Sequence, residues 1–264
     1  MTTGYVALLD VLGFSDLISG RPGDQNFSSY LECIKESLDD ESVGAIVPYI
    51  VFSDSIVLTS DDSSVESLHS VVLRCSRLFG RMLAKGIAIR GAVSYGDYSR
   101  AKTGGGIFVA GRAIIEAYRF EQTQDWVGIM LTPSILRQIP DKFTQFVITA
   151  DDRVDTLEGL DAIRLRARWS GFVQEIYNIP FHNDNPFNES FFHGFAIVPT
   201  DGVANEQSIM TSLGNSLKSL KNLKMYSPNP ATQRKYSHAE SWLSTIHAKW
   251  ADLVWRRARL DTVT

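Results

Sequence analysis

Apolar and polar positions along the chain fall into an alternating series of strand and helix patterns. Tyr5 to Asp10 form an apolar strand with Val6, Leu8 and Leu9, the run breaks at Gly13, and Phe14, Ser15 and Asp16 open a short helical pattern with Leu17 and Ile18. Phe27, Tyr30, Leu31, Ile34 and Leu38 recur at helical spacing, which predicts an amphipathic helix from about Asn26 to Asp40. Ile46 to Phe52 and Ser55 to Thr59 predict a hairpin with Ser53 and Asp54 at its tip. A second amphipathic helix follows from Val65, with Leu68, Val71, Val72, Cys75, Leu78, Phe79 and Met82 on one face and Gly86 as its left-handed cap. Ile87, Ile89, Gly91, Val93 and Tyr95 then alternate with small or polar residues, a strand that ends at Gly96. The order strand, helix, hairpin, helix, strand predicts an α+β fold with a ferredoxin-like or palm-type sheet and helices on one face.

Beyond Gly96 the pattern is less regular. A Gly-rich segment, Thr103 to Gly106, leads into a helix marked by Ile114, Ile115, Ala117 and Tyr118 that carries Arg119. Trp126 to Leu131, Phe143 to Thr149 and Phe191 to Val198 read as strands and Pro133 to Gln138 as a short helix, whereas Asp151 to Asn185 gives no assignment. Two helices, Ile209 to Leu223 and Ala231 to Leu260, close the chain on either side of an SPNP loop. The second carries an apolar stripe of Trp242, Leu243, Ile246, Trp250, Leu253, Val254 and Trp255, better suited to covering the sheet or the domain edge than to holding a partner. Arg256, Arg257 and Arg259 fit a solvated helix end. The expected organisation is a catalytic domain over residues 1–205 and a C-terminal helical extension over 206–264.

Composition narrows the class. With 264 residues and 44% hydrophobic content the chain can bury a full core, and a net charge of −4 argues against a general nucleic-acid surface. No apolar run is long enough to span a bilayer and the N-terminus lacks a signal-peptide pattern, so the expected location is cytoplasmic. Cys33 and Cys75 fall on apolar helix positions and fit buried, reduced thiols. The histidines show no metal-ligand spacing, and neither a nucleophile elbow nor a Walker loop is present.

The chemistry centres on two acids. Asp10 stands at the end of the first strand and Asp54 at the hairpin tip. Either one alone reads more often as a turn former or cap. Paired at the ends of adjacent strands, they suit Mg²⁺ or Mn²⁺, which take one or two carboxylates together with water and substrate phosphate. Amides at the helix start after Gly13 would place phosphate beside metal. The reading is nucleotide chemistry with two metal ions. Lys102 and Arg90 are candidates for a triphosphate contact.

Three motifs carry a family resemblance. ALLDVLGFS, with Asp10, Gly13, Phe14 and Ser15 in register, FSDS at Asp54, and GRAIIEAYR from Gly111 to Arg119 together resemble class III nucleotidyl cyclases, over about Tyr5 to Leu131. The resemblance implies a head-to-tail homodimer with active sites at the interface and two Mg²⁺ or Mn²⁺ ions per site. Asp10, Val11 and Asp54 would surround the metals, Gly13, Phe14 and Ser15 would meet phosphate, and Arg119 of the other protomer would neutralise transition-state charge. A surface ion pair is the plainer role for Arg119.

The departures from the family pattern bear on the base. Positions that read adenine or guanine in the family are Ile50 and Phe108, neither of which hydrogen-bonds through its side chain, and the ribose-orienting Asn is replaced by Ile115. With Tyr49 beside them, these changes resemble the pyrimidine cyclases of the bacterial anti-phage system Pycsar. That implies UTP or CTP as substrate and cyclic UMP or cyclic CMP as a messenger for a separate effector protein. Tyr49 is the candidate base contact, with a core-filling aromatic as its alternative. A non-catalytic nucleotide sensor and a purine cyclase with an atypical pocket are the competing readings.

Overall fold

Strand β1 (Thr2–Val11) is the axis of the sheet, because its main chain pairs antiparallel on both sides at once and its side chains are buried on both faces. The computed structural model describes residues 1–19, 25–43, 45–138, 172–180, 191–202 and 206–261. After β1 come α1 (Phe14–Ile18), α2 (Gln25–Leu38), β2 (Tyr49–Phe52), β3 (Ser55–Thr59), α3 (Val65–Ala84), β4 (Ile89–Thr103) and β5 (Gly106–Gly111). Then follow α4 (Arg112–Thr123), β6 (Gly128–Leu131), α5 (Pro133–Gln138), β7 (Val173–Pro180), β8 (Phe191–Ile197), α6 (Glu206–Tyr226) and α7 (Pro230–Asp261). The sheet order is β2-β3-β1-β4-β6-β8-β7, with β5 hairpinned onto β4.

The first five predicted elements form the split arrangement that their order implied. β4, β1, β3 and β2 lie side by side, each antiparallel to the next, with α2 and α3 as the crossovers. Alternation along β1 separates two faces. Tyr5, Ala7 and Leu9 join the main core with Tyr30 and Leu38 of α2 and Leu78 of α3. Val6 instead meets Tyr98 and Ala113 of α4 on the opposite face. The α3 cap forms as expected, with Gly86 at φ 77° and its N–H donating to the Leu83 carbonyl at 2.9 Å. Arg74, fully buried in α3, donates to the carbonyls of Ser37, Asp40 and Ala45 and so ties down the connection from α2 to β2.

Two features differ from the pattern-based expectation. β4 runs on to Thr103 rather than ending at Gly96, and Ile107 to Gly111 is a strand rather than a lead into the helix. The cause is Gly104-Gly105, which closes a two-residue hairpin between the partners Thr103 and Gly106 and folds an arm back on itself. Part of the unassigned stretch forms β7, and the expected strand over 143–149 lies outside the described residues.

The C-terminal helices share the core of the sheet. Ile209, Leu213 and Leu220 of α6 and Trp242, Leu243, Ile246 and Trp250 of α7 belong to the same buried cluster as β1 and α3. Trp242 packs edge-on against Trp126, ring centroids 5.3 Å apart, while Trp255 at the end of the stripe is 53% exposed. Both cysteines are buried and free, and burial pushes the Cys33 thiol up to about 11. No helix among the described residues is long and apolar enough to cross a membrane. Trp242→Ala should cost about 3–5 kcal/mol in a urea titration, because it empties a shared core rather than the edge of an appendage. A loss below 1 kcal/mol would show that the extension is only loosely attached.

Candidate functional site

The end of β1 brings the two predicted acids together. Asp10 is the cross-strand partner of Ser55, the residue after Asp54, and the Val11 N–H donates to the Asp54 carbonyl at 2.9 Å. Ser53 and Asp54 are the whole loop between β2 and β3. Ser53 has φ 56°, the one positive value at a non-glycine among the described residues. A side chain there costs about 1–2 kcal/mol relative to glycine. Tyr30 of α2 holds the tip from below, its hydroxyl donating to the Ser53 carbonyl at 3.1 Å. Its ring also meets Phe14 edge-on at 5.4 Å. One tyrosine thus braces both the acid-bearing hairpin and the turn after Gly13, a role that helical periodicity alone did not reveal. Burial, with help from the Asp54 charge, pushes its phenol up to about 12.

Gly13 turns the chain out of β1 with φ 74° and ψ 25°, and its carbonyl accepts from Asp16 and Leu17 at 3.0 and 3.2 Å. A Cβ built at Gly13 would meet nothing within 4 Å. Open space therefore lies directly beside the backbone, with Ser15 exposed next to it and Phe14 half-buried.

Arg90 and Glu121 complete the surroundings of Asp10. Arg90 is the cross-strand partner of Asp10 on β4, and its Nη2 lies 3.7 Å from Asp10 Oδ2 and closer to Glu121 Oε1. Its Nη1 donates to the Gln124 carbonyl at 3.0 Å. Gln124 in turn donates to the carbonyls of Gly91 and Phe120, and accepts from Trp126 Nε1 at 2.8 Å. Burial raises the Asp10 carboxyl above its ordinary range; Arg90 opposes that, Asp54 adds to it, and Lys235 of α7 opposes it. Burial likewise raises Glu121, with Arg90 pulling the other way and Asp10 adding to the rise. Arg90 is therefore engaged by two carboxylates. Lys102, paired with Ile107 in the β4–β5 arm, stands twelve positions further along the strand.

The remaining candidate residues lie elsewhere. Ile115 and Arg119, four apart on α4, are both exposed, while Ala117 and Glu121 turn inward. Phe108 pairs with Ala101, eleven positions along β4 from Arg90, which at about 3.3 Å per residue is roughly 35 Å from the acids. Ile50 pairs with Val57, two positions from Ser55, so by alternation it shares the Asp10 face of the sheet. Tyr49 occupies the other face, packed on the helical core, with its hydroxyl donating to Asp39 Oδ1 at 2.9 Å. Asp10, Val11, Asp54 and the Gly13 turn are thus brought together, whereas Phe108, Ile115 and Arg119 are not joined to them within one chain.

The donor set fits Mg²⁺ or Mn²⁺. It offers two carboxylates, the charge of Asp54 helping to raise the Asp10 carboxyl, and, from Val11, whose apolar side chain is buried, only a main-chain carbonyl. No group of three or more His, Cys, Asp or Glu stands together among the described residues, so these ions would draw their other oxygens from water and phosphate.

No family model and no curated protein matches the chain. Among solved structures, it is similar to the guanylate cyclase domain of RhGC from Catenaria anguillulae in complex with GTP, with 13% identity over 75% of this chain and 97% of that one, TM-score 0.46. It is similar to the guanylyl cyclase domain of the RhoGC fusion protein from Blastocladiella emersonii, with 14% identity over 53% and 84%, TM-score 0.42. The adenylyl cyclase CyaB from P. aeruginosa shows 16% identity over 52% and 80%, TM-score 0.40.

Glu121→Gln leaves Arg90 without its closest partner and should cost roughly 3 kcal/mol by chemical denaturation. Tyr30→Phe should cost about 1 kcal/mol and loosen the hairpin tip, read as faster amide exchange at Asp54. Ser53→Gly should leave stability equal or higher, since it removes the left-handed strain.

Proposed function

We propose that the chain is a class III nucleotidyl cyclase acting on UTP or CTP. The observation that carries the reading is the Val11 N–H to Asp54 carbonyl bond, which fixes two strand-end carboxylates beside an open glycine turn. In the reaction the ribose 3′-oxygen bonds to the α-phosphorus and gives up its proton to solvent water. The bond from that phosphorus to the bridging oxygen of the β-phosphate breaks, giving a 3′,5′-cyclic monophosphate and pyrophosphate. Bound Mg²⁺ or Mn²⁺ would supply positive charge where the displacement accumulates negative charge. Asp10, Asp54 and the Val11 carbonyl would hold two such ions, and the backbone of Gly13, Phe14 and Ser15 would receive phosphate oxygens. Glu121 and Arg90 keep Asp10 in place without occupying its outward side.

The site is half of what the chemistry requires. Arg119 is exposed on the α4 face turned away from Glu121, so it serves the acids of a second copy, in a head-to-tail homodimer. Phe52, Ile107, Phe108, Ile115 and Tyr118 are large apolar side chains each more than half exposed, which suits surfaces that a partner copy covers. Ile50 and Phe108 would line an apolar base pocket, with Ile115 near the ribose. The Tyr49 hydroxyl is committed to Asp39, so the base would be read by main-chain groups or water. The resemblance to Pycsar cyclases supports an anti-phage role, with the cyclic pyrimidine nucleotide read by a separate effector.

Purified protein incubated with Mn²⁺ and each of the four ribonucleoside triphosphates should give cyclic UMP or cyclic CMP by mass spectrometry. Cyclic AMP or GMP would overturn the pocket reading, and no product would overturn the enzyme. Asp54→Ala should abolish turnover, and Arg119→Ala should lower kcat by about 10²–10³. Mixing the two inactive variants should restore activity, because a mixed dimer keeps one intact pair of Asp54 and Arg119. Failure of that mixture would place Arg119 outside the site.

A further inference from the structure

The C-terminal hairpin of α6 and α7 lies outside the family resemblance, yet it faces the acid-bearing end of β1 across a cavity of about 960 Å³. One wall is Leu12 and Gly13, and the others are Lys85 and Gly86 after α3, Lys218 and Asn222 of α6, and Lys235 of α7. Both glycines leave open space where a side chain would project, so the main chain is bare to the cavity. The charge of the lining is one-sided, with Lys85, Lys218 and Lys235 against Asp16. Of the α6 lysines only Lys218 lines the cavity, and after Glu206 that helix carries no acid to offset it, whereas Lys224 is paired with Glu240 of α7 at 3.1 Å.

Lys235 links this cavity to the site already described. Its Nζ lies 3.5 Å from Asp125 Oδ1, and Asp125 follows Gln124, whose carbonyl accepts from the Arg90 that faces Asp10. Lys85 is drawn toward Glu32 at 3.5 Å, an exposed pair that a multivalent anion would readily compete with. Amide groups of Asn215, Asn222 and Asn229 add neutral donors along the same lining.

From this geometry we infer that the C-terminal hairpin builds a polyphosphate site in cis, in which Lys218 and Lys235 hold the diphosphate portion of the substrate or the pyrophosphate that leaves it. The inference rests on the cyclase reading for its link to turnover, but the binding itself does not. Lysines are suited to the task because an ammonium presents its donors to phosphate oxygens without demanding one planar geometry. The hairpin then has a reason to share the core of the catalytic sheet. Its lysines must be held at a fixed place relative to Gly13.

The test is titration calorimetry of the full chain with inorganic pyrophosphate in EDTA, where no metal can bridge the anion to Asp10 and Asp54. Wild type should bind, the affinity should fall as salt rises, and Lys218→Met with Lys235→Met should weaken binding at least tenfold. Lys218→Arg with Lys235→Arg should restore it. Because Lys218 is exposed, Lys218→Met alone keeps the test open should the double variant fold poorly. Unchanged binding in these Met variants, or loss in Asp54→Ala instead, would overturn the inference. Lysine-dependent binding without turnover on any triphosphate would sink the cyclase reading and leave the polyphosphate site standing. Turnover with the KM for nucleotide unmoved in the folded Met variants would do the opposite.

Discussion

A carboxylate at the end of a buried inner strand has to be held in place without being used up, and the surroundings of Asp10 follow from that constraint. β1 is packed on both faces, by α2 and α3 on one side and α4 on the other, so its last residues lie toward the low-dielectric interior. Burial there disfavours the ionised form, and the nearby Asp54 adds to the penalty. Arg90 offsets it from the neighbouring strand, yet an arginine free to close on Asp10 would block the carboxylate from any ligand. Glu121 prevents that by holding the guanidinium closer to itself than to Asp10. The Gln124 carbonyl fixes the other nitrogen. The result is a carboxylate supported from one side and open on the other.

The hairpin tip obeys a related logic. Asp54 must reach the same place as Asp10, and the shortest route is a two-residue loop whose first residue adopts positive φ. Serine rather than glycine stands there, so the local backbone carries strain that the rest of the structure has to offset. The Tyr30 hydroxyl and the Val11 N–H supply hydrogen bonds to the two residues of the loop.

Much of this was legible in the sequence. The five elements from β1 to β4 follow from periodicity, and the placement of Asp10 and Asp54 at strand ends follows from where apolar runs stop. What the sequence did not disclose is of a different kind. The β4–β5 arm hides because its far half, SRAKT, is polar and its return strand, IFVAG, is exposed, so neither shows the alternation of a half-buried strand. Glu121 and Gln124 carried no signal in the sequence, because burial of a carboxylate depends on Arg90, which is far off in sequence. Lys235 gave no signal at all. Its significance arises only from the fold, which places it on the lining of the same cavity as Gly13 at the end of the first strand.

That separation between local and assembled information also explains the division of the site. Asp10, Asp54 and Gly13 are bound together by main-chain contacts within one sheet end, which a single chain can form unaided. Phe108 sits at the tip of an arm roughly 35 Å away along β4, and Arg119 faces outward from α4. A long two-stranded arm with an exposed phenylalanine contributes little to its own core, so its value must come from what it reaches. The tip of the arm cannot approach the acids of its own chain, and in the proposed homodimer it would meet those of a second copy. On the proposed cyclase reading the base pocket would therefore be a property of the dimer, whereas the lysines that face Gly13 across the cavity belong to the single chain.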